Sequence, residues 1–112
     1  MKLTVKDRIH FSALYPQEGN IVTQLLVKDI QEKVNLTQEE SKEIGLKQEG
    51  QTIVWDDEKA GKKDVKFTET EMEFLKGRVE NLNNENKVTQ DILSICLAVQ
   101  NYKKEVYHRN TV

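Results

Sequence analysis

Two histidines, one cysteine and a knot of acids are the residues here whose types could do chemistry. His10 and His108 lie at opposite ends of the chain, without the i, i+4 spacing that sets two imidazoles on one helix face to share a metal. Cys96 falls between Ile95 and Leu97 on the apolar side of an expected helix. A nucleophilic thiol needs an electropositive, partly exposed setting, so this one reads as a core residue. As the only cysteine it also excludes an internal disulfide and every cysteine-rich zinc site. Asp56, Asp57 and Glu58 are the densest acids, but "DDEKAGKKD" does not follow the ligand spacing of a calcium-binding EF-hand loop. "AGKK" has neither the upstream glycine nor the following Ser or Thr of a phosphate-cradling loop, and no G-x-S-x-G elbow occurs. The expectation is a chain with no metal, no cofactor and no catalytic residue.

Charge narrows the partners. Lys59, Lys62, Lys63 and Lys66 offer phosphate contacts, but Asp56, Asp57, Glu58 and Asp64 match them one for one within residues 56–66. Phosphate binding needs uncompensated cations, because affinity comes from released counterions. With a net charge of −2 and both signs interspersed, neither nucleic acid nor an anionic membrane is expected as a partner. At the C-terminus Lys103, Lys104 and Arg109, with Tyr107, form the one basic and aromatic cluster that suits a small anionic ligand.

One recurring pattern announces the elements that must position these residues. "LTVKD" (3–7), "LTQEE" (36–40), "FTETE" (67–71) and "VTQDI" (88–92) each place threonine after an apolar residue and ahead of an acid. A threonine oxygen accepts a hydrogen bond from an orphan N–H of the first helical turn, and an acid there complements the helix dipole. Thr4, Thr37, Thr68 and Thr89 are therefore expected helix caps. Three residues beyond the first three stand Asp7, Glu40 and Glu71, which complete a capping box, aspartate being the shorter and poorer partner. Phe67 and Met72 have hydrophobic-staple spacing around the third cap.

The first helix should run from Val5 to Leu14 and stop before Pro16, although the odd-numbered Leu3, Val5, Ile9 and Phe11 also fit a strand. Residues 20–34 carry an apolar stripe of Val22, Leu25, Leu26, Ile30 and Val34 behind the candidate cap Asn20. A short helix follows Thr37 and ends near Gly45. Ile53 and Trp55 then alternate on a strand, with Glu49 and Gly50 closing a small turn before it; Val65 and Phe67 alternate on a returning strand, and the charged middle makes a hairpin tip. Met72, Leu75, Val79 and Leu82 mark a longer helix, "NLNNEN" a loop, and Ile92, Ile95, Cys96, Val99 and Tyr102 a last helix whose stripe Leu93 and Leu97 widen.

The string Asp7-Arg8-Ile9, Tyr15-Pro16-Gln17-Glu18-Gly19, Leu36-Thr37-Gln38-Glu39-Glu40, Trp55 and Phe67-Thr68-Glu69-Thr70-Glu71 resembles small proteins encoded in tailed phages and prophage-like elements of gut and low-GC bacteria. The likeness covers nearly the whole chain and rests mostly on caps and turns. It implies a mobile-element origin, and with it either particle assembly or interference with a host system.

The 112 residues suit one domain. We expect an α+β fold, mainly helical, with four main helices, one short helix and an inserted β-hairpin: a helical N-terminal half over 4–45, the hairpin over 51–67 and a helical pair over 68–107. With 37% hydrophobic against 32% charged residues the core is thin, which points to burial completed by another chain. No apolar run approaches the roughly 18–20 residues needed to cross a bilayer. "MKLTVKDRIHF" lacks the apolar segment of about 7–15 residues of a signal peptide, so a cytoplasmic protein is expected, in a host bacterium or within a phage particle. The leading expectation is a non-catalytic protein–protein interaction or assembly module that forms a homo-oligomer, using Trp55, Val65, Phe67, Leu93, Leu97 and Tyr102. The alternative is a binding protein that sequesters a host factor or small nucleotide.

Overall fold

Three threonines start helices in the same way. In the computed structural model, which describes residues 1–102, Thr4 Oγ1 accepts from Asp7 N at 3.0 Å and Asp7 Oδ2 accepts from Thr4 N at 3.1 Å. The same reciprocal pair joins Thr37 to Glu40 and Thr68 to Glu71. These boxes open α1 (Val5–His10), α3 (Gln38–Glu43) and α4 (Glu69–Asn84), while Asn20 Oδ1 caps α2 (Ile21–Val34) through Thr23 N. Thr89 precedes α5 (Gln90–Gln100) but makes no side-chain cap bond. Ile92 stands where a box acid would be, and its N–H turns instead to the Thr89 carbonyl at 3.2 Å.

Each box acid also reaches a distant element. Asp7 Oδ1 accepts from Ser94 Oγ on α5, Glu40 takes both Arg8 Nη atoms of α1, and Glu71 accepts from Lys33 Nζ of α2. The local start signal and the long-range tether thus share one carboxylate. Arg8 is the strongest of these links: its side chain is 3% exposed, and Nε and Nη2 also donate to the Val34 and Asn35 carbonyls at 2.8 and 3.0 Å. One guanidinium therefore closes the C-terminal end of α2, where orphan carbonyls favour a cation. It also fixes α1 and α3 to that end.

Helix ends follow local rules. Gly45, at φ 64°, ends α3 with Gly45 N bonded to Lys42 O and Leu46 N to Ser41 O, a Schellman closure. Asn86, at φ 58°, does the same after α4. The "NLNNEN" segment is therefore helical through Asn84, and the break falls at 85–89. α1 gives way to a 3₁₀ turn over Phe11–Leu14, so residues 5–14 are helical and only Lys2–Leu3, β1, is extended.

The core lies where α4 and α5 pack on α1 and the 3₁₀ turn. Leu75, Ile95 and Val99 meet Phe11, Leu14 and Leu3 there, all with no exposed surface, and Ile30 and Val34 of α2 join the same cluster. Phe67 stacks on Phe11 with ring centroids 5.9 Å apart.

The strands form two small antiparallel sheets, which gives the α+β, mainly helical fold. β2 (Lys47–Glu49) and β3 (Thr52–Val54) form the inserted hairpin, with Gly50 at φ 63° in its two-residue loop. β4 (Lys63–Asp64) does not return to this hairpin, as the alternation of Val65 and Phe67 suggests. It pairs with β1, in register Lys2 to Asp64 and Leu3 to Lys63, and Val65 N extends the contact to Met1 O at 2.8 Å. The hairpin thus spans 47–54 rather than 51–67, and the charged residues 56–62 are not its tip. They form a separate turn in which Asp56 N donates to Ile44 O at 2.7 Å and Asp56 Oδ1 accepts from Glu58 N.

Candidate functional site

The six nominated surface positions separate on folding. Val65 is 3% exposed and belongs to the core, because pairing with the N-terminal strand turns it inward. Phe67 and Tyr102 are half-buried and come together in one cleft of about 310 Å³, beside Met72 and Glu73. Lys76 Nζ donates to the Tyr102 carbonyl at 3.0 Å on its rim. Leu93 and Leu97, 38% and 46% exposed, keep the flank of α5 open. Lys103, Lys104, Tyr107, His108 and Arg109 lie outside the described residues.

The most exposed large aliphatic side chains among the described residues include Val22 and Leu25, which the apolar stripe of α2 assigned to the interior, and Ile21, which lay outside that stripe. Ile21, Val22 and Leu25 are 79%, 73% and 56% exposed, whereas Val27, Ile30 and Val34 further along the same helix are buried. The first turns of α2 are apolar on both sides, so periodicity alone does not say which side packs. Arg8 and Lys33 pull the far end of the helix onto α1 and α4, and that rotation leaves Ile21, Val22 and Leu25 outward.

Trp55 sits between two further clefts. One, of about 360 Å³, is lined by Lys42, Lys47 and Lys59; the other, of about 300 Å³, by Lys6, Val5, Ala60 and Lys62. A narrower space of about 100 Å³ under Lys59, Ala60 and Gly61 lies between them. The indole is half-buried, and its Nε1 donates to Asp57 Oδ1 at 2.7 Å. Lys42, Lys47, Lys59 and Lys62 form no salt bridge among the described residues. Adding up charge along residues 56–66 conceals this grouping, since Lys6, Lys42 and Lys47 arrive from α1, α3 and β2.

No family model, curated protein or solved structure matches this chain.

The titratable groups that depart from ordinary behaviour serve the framework. The bidentate Arg8 hydrogen bonds lower the Glu40 carboxyl to about 2. For Glu71 burial works against the charge, but the Lys33 ammonium and the Thr68 N–H outweigh it and hold the carboxyl below its usual value. Burial pushes the Cys96 thiol up, the opposite of what a nucleophile needs. It pushes the Tyr15 phenol up as well, and the buried Tyr15 Oη has no hydrogen-bond partner. His10 is half-buried on α1. Among the described residues no group of three or more His, Cys, Asp or Glu is placed to hold a metal ion, and no helix is long and apolar enough to cross a membrane.

Sequence reasoning missed Arg8 and Ile21. Val5, Arg8 and Phe11 recur at intervals of three, which sets a cation into a buried helical stripe, and that was the available signal for Arg8.

Proposed function

We propose that this chain is a non-catalytic protein–protein interaction module that assembles with copies of itself, in the cytoplasm of a host bacterium or within a phage particle. The observation that carries the reading is the uncovered Ile21, Val22 and Leu25 at the start of α2. Scattered single aliphatics on a surface need no explanation, but three large ones within little more than one turn form a patch of the kind that marks contact sites. Leu93 and Leu97 supply a second, smaller apolar face on α5.

The magnitudes favour reversible assembly. Full burial of a Val, Leu or Ile side chain contributes roughly 1.5–3 kcal/mol, so these partly exposed side chains offer about 3–6 kcal/mol per copy before costs. That gross range lies around millimolar affinity, and lost rotational and translational freedom weakens it further. The fitting partner is a repeated one, where many weak copies add. A mobile-element origin agrees with such a role through the resemblance alone.

Native mass spectrometry of the full chain over a concentration series tests this reading. A defined oligomer whose fraction rises with concentration is the expected result. A chain that stays monomeric at the highest concentration overturns it.

A further inference from the structure

We propose that the paired clefts around Trp55 bind a nucleotide, with the indole stacking on the base and lysine ammonium groups holding the phosphates. This site is separate from the α2 patch and does not depend on self-association. Three features carry it. The first is a flat aromatic ring, half-buried between both clefts and restrained at Nε1 by Asp57, on which a base can stack. The second is size: at about 300 and 360 Å³ the clefts match small-ligand sites. The third is charge. Lys42, Lys47, Lys59 and Lys62, which form no salt bridge among the described residues, line the two clefts against Glu43, Asp56 and Asp57, and Lys6, paired with Asp91, adds a fifth ammonium at the edge, although the whole chain carries −2.

The lining distinguishes the ends of the ligand. Val5 and Ala60 make the cleft they share with Trp55 the more apolar side, suited to a base. Lys42, Lys47 and Lys59 make the other the phosphate side, and Lys59 also lines the space between them. Base stacking on an aromatic ring combined with flexible ammonium donors is how sequence-tolerant nucleotide recognition is built. Small clefts, rather than an extended basic stripe, favour a mononucleotide over a strand.

The chain carries one tryptophan, so its fluorescence reports on this site with no added label. The full-length protein is titrated with ADP, GDP, CDP and UDP, and in parallel with adenosine, pyrophosphate and oligo-dT. At least one diphosphate should quench Trp55 saturably, with adenosine and pyrophosphate each weaker by about tenfold or more, since each lacks one half of the recognition. Lys47→Glu with Lys59→Glu should weaken binding by at least about tenfold while the circular dichroism of the helices stays unchanged. By calorimetry Trp55→Phe should keep binding and Trp55→Leu should lose it. No saturable response to any diphosphate overturns the proposal. So does binding that survives the charge reversal, and a response to oligo-dT alone would make this a strand-binding surface instead.

Discussion

The two ends of α2 are built from the same kinds of residue and meet opposite fates. Val27, Ile30 and Val34 are buried at one end, while Ile21, Val22 and Leu25 stand in solvent at the other. The difference is not propensity or cap quality, since the exposed end has its Asn20 cap with Thr23 N at 2.8 Å. It is the face that each set occupies: with about 3.6 residues per turn, Ile21, Val22 and Leu25 lie on the side of the helix away from Val27, Ile30 and Val34. Thr23 and Leu26, on the packed side of the same first turns, are half-buried, and Arg8 and Lys33 hold that side against α1 and α4. An apolar face that packing does not use is available for a second chain.

Removing the contacts that hold the packed side should have a large effect. Arg8→Ala leaves Glu40 and two carbonyls of the α2 terminus without their donor. Arg8 is buried but Glu40 is a third exposed and can rehydrate, so the loss should fall below that of a fully buried pair, at about 2–3 kcal/mol, read as a lower urea midpoint with an unchanged slope. Truncating each end in turn sharpens the contrast next. Ile30→Ala should cost about 2–5 kcal/mol and Leu25→Ala no more than about 0.5, so equal losses would contradict the burial difference.

Acid gives a smaller and graded version of the first experiment. The Glu40 carboxyl is lowered from 4.5 to about 2 by Arg8, and Glu71 is lowered by Lys33 and Thr68 against the effect of burial. A depressed folded-state value means that the stabilisation is fully present above the free value of 4.5 and is lost as pH falls from there toward 2. Thermal melts between neutral pH and pH 2.5 should therefore show a wild-type decline that Glu40→Gln reduces, because the glutamine has no charge left to lose.

How much of this was legible in the sequence depends on the range of each interaction. The caps at Thr4, Thr37 and Thr68 and the closures near Gly45 were readable because both partners lie within a few residues. The α+β fold follows from those starts and from the stripes of the last two helices. Pairing of Lys2–Leu3 with Lys63–Asp64 was not readable: two residues per strand, about sixty apart, carry no period to detect. That pairing also took Val65 from the proposed surface into the core. On α2 the pattern marked an apolar helix but not the side that packs, which Arg8 and Lys33 decide from other elements. Trp55 was readable as a strand residue on a candidate interaction surface. Its lysines were not, because the balanced charge of the neighbouring loop hid a cluster assembled from four segments.

The most direct test of the central claim compares the wild-type chain with the double variant Ile21→Ser and Leu25→Ser by light scattering over a concentration series. Neither residue supports the fold, so the variant should melt with the wild type, within the roughly 0.5 kcal/mol expected of surface changes. The wild type should gain mass with concentration while the variant stays monomeric. Equal association by both proteins would contradict the account, and so would a wild type that never leaves the monomer.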